Sequence, residues 1–364
     1  MLYEKLLKPV LFRMDPEKAH HLTIGGLRTL QNVPGVRGLL GAAYSSPSAP
    51  ELAQTLWNIP FANPIGLAAG LDKNGEAAGA LSRLGFGFIE VGTVTPRPQP
   101  GNDRPRLFRL PEDEALINRM GFNNHGAEAM RSNLEASGSR PIPIAVNIGK
   151  NKTTPNEEAV QDYRTCMRIL YDIGDFFVVN ISSPNTPNLR NLQHGDDLHV
   201  LLSGIIEERN LQASERGAAP KPVLVKIAPD MTEEELRSSV EIINSSGVAG
   251  IIATNTTITR HDLRSRHREE TGGLSGKPLH RLSLGVVRQV YRLTEGRLPI
   301  VASGGVFTGD DAYEMIRAGA SLVEIYTGMI YRGPGVNRSI NRRLLELLRK
   351  DGYTHITQAV GADA

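Results

Sequence analysis

Three groups of residues in this 364-residue chain could do chemistry. Ser183 sits in NISSPNTPNLR (180–190), directly after the apolar run FFVVN, with no histidine or carboxylate in the next ten residues to activate it. On its own surroundings it reads as a helix N-cap or turn residue. Lys226 inside VLVKIA and Asn147 inside AVNIG are polar side chains in runs that otherwise favour burial. The glycine-bearing turns SGGV (303–306) and YTGM (326–329) could offer backbone N–H groups to a phosphate. Other chemistries lose support. Nine histidines form no H-E-x-x-H spacing, so no metal site is expected, and the single cysteine, Cys166, excludes an intrachain disulfide or a Cys-rich cluster. No G-x-G-x-x-G, P-loop or G-x-S-x-G occurs.

These residues need a scaffold that brings them to one face. Eight short apolar runs qualify as strands: IGLAAG (65–70), GFIEVG (87–92), IPIAVNI (142–148), FFVVNI (176–181), VLVKIA (223–228), GIIATN (250–255), PIVASG (299–304) and SLVEIY (321–326). Between several of them lie helix-like stretches ending in glycine, such as EEELRSSVEIINSSG. The pattern predicts an α/β fold, a (β/α)8 TIM barrel beginning near residue 60, whose strand ends converge on a ligand-binding face. The glycine turns then follow strands seven and eight, where barrels commonly bind phosphate, so a phosphorylated ligand is expected. Long segments at 93–141, 182–222 and 255–298 interrupt the pattern and are expected over the barrel mouth, with PRLFRL as a small hairpin strand and 186–195 as a lid.

Forty-one basic and 39 acidic residues are spread evenly to a net charge of +2, which argues against nucleic acid as a partner. No apolar run reaches the roughly 18 residues of a membrane span. The first forty residues differ from the rest. Leu2, Leu6, Val10 and Met14 recur every four residues, Leu22, Leu27 and Leu30 follow, and six Lys/Arg face three Asp/Glu. Two short helices are expected, the second opening at Pro16, forming either a cap packed on the barrel or a pair lying on a membrane surface.

Ten stretches in order along nearly the whole chain resemble the class 2, quinone-reducing dihydroorotate dehydrogenases: GLAAGLDKNGE (66–76), EVGTVTPRPQPGNDRPRLFRL (90–110), INRMGFNN (117–124), VNIGKNK (146–152), NISSPNTPNLR, VKIAPD (225–230), ATNTT (253–257), TGGLSG (271–276), SGGV and IYTGMIYRGP (325–334). The resemblance implies FMN, with its phosphate at Gly276, Gly305, Tyr326 and Thr327 and the rest of the flavin at Ala69, Gly70, Thr93, Asn147, Asn180, Lys226 and Thr254. It implies dihydroorotate and orotate at Lys73, Asn118, Asn180, Asn185, Asn255 and Thr256, with Ser183 as the catalytic base where soluble class 1 relatives use cysteine. A tunnel for ubiquinone or menaquinone is implied beside His20 and Arg109, although His20 reads equally as a surface histidine beside His21. The implied organisation is a membrane- and quinone-facing helical extension, residues 1–45, and a catalytic barrel, 46–364, on the cytoplasmic side of an inner membrane as a peripheral protein; no Arg- and Ser-rich presequence precedes the first helix.

Overall fold

The structure, a computed structural model, describes residues 3–46 and 48–364. Eight parallel strands close into a barrel: Ile65–Leu67, Phe88–Val94, Ile144–Ile148, Phe176–Asn180, Val223–Ile227, Gly250–Ala253, Ile300–Ser303 and Ala320–Ile325. Each pairs with its neighbours in chain order, and the eighth closes the ring on the first. All eight expected strands are present. Most stop earlier than their apolar runs suggest, because the chain turns at the polar strand ends.

The period of two along a strand explains where the site lies. Phe88, Ala145, Val178, Leu224, Ile252, Val301 and Leu322 point inward and form an apolar layer low in the barrel. Two residues further along the same strands come Glu90, Asn147, Asn180, Lys226, Thr254, Ser303 and Glu324, which form a polar layer above it. The intervening residues, among them Ile89, Val146, Val179, Val225, Ile251, Ala302 and Val323, face outward into the core beneath the helices. The same alternation that buries the barrel therefore builds the floor of its pocket.

A two-stranded hairpin, Gln54–Leu56 with Ile59–Phe61, plugs the other end. Trp57 and Asn58 both have positive φ, 54° and 61°, as a tight hairpin turn of right-handed twist demands. Trp57 packs on Phe61 and Phe176 and donates its indole N–H to the Ala249 carbonyl at 2.7 Å. Gly66, in the first strand, leaves the space that the Phe88 ring occupies, and a Cβ built there would lie 2.2 Å from Phe88 Cζ. Gly66→Ala is therefore expected to cost about 1–3 kcal/mol by overpacking, read as a lowered Tm in thermal unfolding; an unchanged Tm would show that Phe88 can move at no cost.

The three long segments are partly barrel helices. Ala127–Ala136, Gly195–Glu215 and His280–Leu293 occupy their C-terminal parts, so the true excursions are shorter than the sequence suggested. Leu107–Leu110 and Ala115–Asn118 form the expected hairpin, and Gly273–Gly276, which was not expected as a strand, adds to it as a third antiparallel member. This small sheet covers the barrel mouth. The proposed lid segment 186–195 holds a 3-10 turn, Leu189–Gln193, with Leu189 and Leu192 buried, and Arg190 bonds Asp230 at 2.8 Å and the Ser182 carbonyl at 3.0 Å.

At the N-terminus the expected two helices are three. A π-helical turn, Tyr3–Leu7, runs into Lys8–Arg13; Pro16–Leu30 opens on Pro16 with Asp15 as N-cap; and Val36–Tyr44 follows a left-handed Gly35. Leu6, Val10, Leu22 and Leu30 are exposed, joined by Leu7, Val33 and Leu39, while Leu27 packs inward and Met14 is half-buried. Leu2 lies outside the described residues. No helix among the described residues is long and apolar enough to cross a membrane.

Candidate active site

One cavity lies between the polar layer and the small sheet. Its walls include Ala69, Gly70, Lys73, Thr93, Asn118, Asn180, Ser183, Asn185, Lys226, Thr254, Asn255, Thr256, Gly276, Gly305, Tyr326, Thr327 and His20. Seventeen residues singled out from separate parts of the sequence thus converge on one space. Asn147 stands behind the wall, accepting from Asn180 at 3.2 Å and donating to Glu90 at 2.6 Å. Arg109 is outside the wall, against the first helix, where it donates to the Met14 carbonyl at 2.7 Å and lies 4.8 Å from the Phe12 ring centre.

Lys226 occupies the centre of the floor. Its ammonium contacts Glu90 at 2.7 Å and Glu324 at 3.1 Å, and all three side chains are buried. Burial opposes the lysine's charge, but the two carboxylates overcome it and hold its pKa above the ordinary lysine value. Burial likewise works against ionised Glu90, yet Lys226 and hydrogen bonds from Asn147 and the Ala69 N–H leave its pKa below the usual range. Glu324 goes the other way, raised to about 8 by burial and then by the charge of Glu90. Neither glutamate is among the site residues expected from sequence. The signal was available, since GFIEVG and SLVEIY place a charge two residues after an inward apolar one, as VLVKIA does.

At the opposite end the wall is backbone and hydroxyl: Ser275, Gly276, Ser303, Gly304, Gly305, Thr327 and Gly328. Gly276 and Gly305 have φ of 102° and 70°, and a Cβ at either would collide with Glu114–Ala115 or His280. The chain can approach this closely only without side chains there. Ser275 and Thr327 share a hydroxyl hydrogen bond at 2.8 Å. A cradle of glycine backbone and hydroxyls, with a buried ammonium and amides further in, fits a group that carries a phosphate at one end and a polar ring at the other.

Above it lie two amide pairs. Asn185 donates to the carbonyl and side-chain oxygens of Asn118 at 3.0 and 3.2 Å; Asn255 donates to Asn180 at 3.3 Å and to the Ser182 hydroxyl at 3.0 Å. Such amides can match a ring with alternating N–H and C=O groups. Ser183 accepts the Asn185 N–H at 3.3 Å, so it does form a turn, yet it remains in the cavity wall with no carboxylate or imidazole among the described residues bonded to its hydroxyl. Lys73 donates to the Gly70 carbonyl at 2.6 Å. Burial brings its pKa down to about 8, leaving a cation suited to a carboxylate ligand.

His20 reaches the cavity from the second N-terminal helix, and burial followed by the nearby Lys73 pushes its pKa well below the ordinary histidine value. One turn earlier Glu17 anchors this helix through Arg106 at 2.8 Å and Arg104 at 3.0 Å. Burial would raise its carboxyl, but the two guanidinium groups hold it at about 2, below the ordinary 4.5. This depressed pKa means the anchor contributes fully above about pH 4.5 and is lost as pH falls through about 2. Glu17→Gln is expected to release the helix at neutral pH, read as at least several-fold faster proteolysis within residues 8–30; equal protease resistance would show that apolar packing alone holds it.

Comparison with known proteins supplies the remaining step. The family model described as dihydroorotate dehydrogenase matches residues 51–348. The chain is 54% identical to the dihydroorotate dehydrogenase (quinone) of Deinococcus deserti, covering 100% of both chains, and 49% identical to that of Christiangramia forsetii, covering 95% of this chain and 99% of the relative. A crystal structure of the Eimeria tenella dihydroorotate dehydrogenase in complex with ferulenol superposes with a TM-score of 0.88 at 41% identity over 96% of each chain. The barrel superposes on that of a solved dihydroorotate dehydrogenase, and this chain belongs to the dihydroorotate dehydrogenase family.

Proposed function

We infer that the protein oxidises (S)-dihydroorotate to orotate in pyrimidine (UMP) biosynthesis, with FMN as its flavin and a membrane quinone, ubiquinone or menaquinone, as final oxidant. The observation that carries this reading is the single cavity joining the glycine cradle, Lys226, four asparagines and Ser183. Bound there, FMN would supply a two-electron acceptor that substrate can reduce and quinone can reoxidise.

The chain's own residues do the rest. Gly276, Gly305, Tyr326 and Thr327 would hold the phosphate, and Ala69, Gly70, Thr93, Asn180, Lys226 and Thr254, which line the same cavity, would border the ring, with Asn147 steadying Asn180 from behind. Lys226 would place its ammonium beside the ring as a hydrogen-bond donor to it, with its charge paired to Glu90. Lys73 holds the substrate carboxylate, and Asn118, Asn180, Asn185, Asn255 and Thr256 fix the orientation of the imide ring. Ser183 takes the proton from C5 as the hydride equivalent departs from C6, which leaves the ring double bond of orotate. A serine hydroxyl is a weak base near neutral pH. Amide hydrogen bonds to the C4 carbonyl acidify C5 and stabilise the developing enolate, and a site closed to water preserves their strength.

The N-terminal residues 1–45 form the quinone-facing unit and 46–364 the flavin barrel. Exposed leucines and valine of the helices lie on the membrane surface as a peripheral attachment on the cytoplasmic side of the inner membrane, and His20 and Arg109 line the route from lipid to flavin. Purified protein should be yellow, anaerobic dihydroorotate should bleach it, and a ubiquinone analogue should restore the colour. Persistent yellow in the presence of dihydroorotate would refute the substrate assignment.

A further inference from the structure

The floor of the cavity holds one cation and two carboxyl groups. Glu90 is satisfied as a carboxylate: one oxygen accepts from Asn147 at 2.6 Å, and the other accepts from the Ala69 N–H at 2.9 Å and from Lys226 at 2.7 Å. Glu324 is not. One of its oxygens accepts from Lys226 at 3.1 Å, while the other is buried with no hydrogen-bond partner among the described residues. A buried carboxylate oxygen without a donor is costly, whereas the same oxygen carrying a proton is a donor in search of an acceptor. The charge count agrees. Two ionised carboxylates around one ammonium would leave a net buried negative charge, and the neighbours of Glu324 at its own register, Gly66 and Ser303, carry no charge to offset it. The charged groups acting on it are Glu90 and Lys226, and Lys73, His20 and Tyr326 are the other titratable groups around the same cavity.

We propose that Glu324 works as a neutral, proton-bearing carboxyl that keeps the Lys226 floor uncharged overall and so sets the reduction potential of the bound flavin. This rests on the reading of the cavity as a flavin site. Glu324 is a positioning residue: it acts through the charge balance around Lys226. With Glu324 protonated, Lys226 and Glu90 cancel, and the ring gains electrons beside a neutral cluster. Once Glu324 ionises, a second buried negative charge opposes that gain and the potential falls. Burial and the charge of Glu90 place this ionisation near pH 8, so the protonated form prevails at neutral pH.

Two measurements test it. In the first, the flavin midpoint potential of holoenzyme is followed by spectroelectrochemistry from neutral to alkaline pH for the wild type and for Glu324→Gln, which keeps size, neutrality and a donor. The two curves should coincide at neutral pH and separate above about pH 8, the wild type falling by a tenfold or larger change in the reduction equilibrium constant, about 30 mV for a two-electron couple. Parallel curves would overturn the tuning role. In the second, infrared difference spectra of protein stripped of flavin should contain a protonated-carboxyl band at neutral pH that Glu324→Gln removes. Its absence from the wild type would overturn the proton assignment even where no flavin binds. A protein that shows the band but takes up no FMN would instead overturn the flavin-site reading and, with it, the role at the flavin.

Discussion

Ser183→Ala is expected to slow flavin reduction by dihydroorotate about 10²–10⁴-fold, the range a positioned general base supplies, with the protein still yellow and its Tm unchanged. The fold should tolerate the change because the one hydrogen bond the hydroxyl makes to described residues is a long one from Asn185 N–H at 3.3 Å, inside a turn that Asn185 also anchors through Asn118. Stopped-flow absorbance under anaerobic conditions reads the reductive step alone. Reoxidation of chemically reduced flavin by quinone should proceed at the wild-type rate, since the proposed role of Ser183 is confined to substrate oxidation. A variant reduced as fast as the wild type would remove Ser183 from the chemistry and leave it a turn residue. A loss confined to quinone reoxidation would place it on the wrong half of the reaction.

Lys226→Met should have the largest effect on the folded state. The substitution keeps a chain of similar length but leaves Glu90 and Glu324 facing each other in the barrel without their cation. Removing one member of a buried ion cluster typically costs about 3–5 kcal/mol, so a substantial drop in Tm and loss of bound flavin are expected together. Adding Glu90→Gln should recover part of the Tm, because the charge left behind then disappears, while flavin affinity stays low. Thermal unfolding and flavin content per chain measure both. A Lys226→Met protein with wild-type Tm and full flavin content would mean that water reaches the floor and neutralises the cost.

How much of this was legible in the sequence follows from which interactions are local. The eight strands could be read because each is a short apolar run closed by a glycine or polar residue, and their order in the barrel follows from chain order alone. The pairing of Gly273–Gly276 with Ala115–Asn118 could not, since it joins residues more than 150 positions apart through a glycine-rich stretch of low strand propensity. Ser183 is the sharpest case. Its local surroundings describe a turn, and the turn is present; only the resemblance to a family assigned it chemistry. Glu90 and Glu324 are hidden in the sequence for a different reason. Each carries its signal in the two-residue alternation, but that alternation becomes a polar layer only when all eight strands are aligned side by side. The apolar repeat of the N-terminal helices was plain, whereas its direction was not: spacing cannot tell a face packed on the barrel from one turned outward, as Leu6, Val10 and Leu22 are.

The most direct test of the central claim is a paired turnover assay on the purified yellow protein, with dihydroorotate and a soluble ubiquinone analogue in one arm and dihydroorotate with fumarate or NAD in the other. Orotate formation in the quinone arm alone is the predicted result, and it would tie the flavin barrel and the N-terminal helices into one electron path. Turnover with fumarate or NAD and none with quinone would contradict the account, removing the quinone route past His20 and Arg109 while leaving the barrel and its polar floor in place.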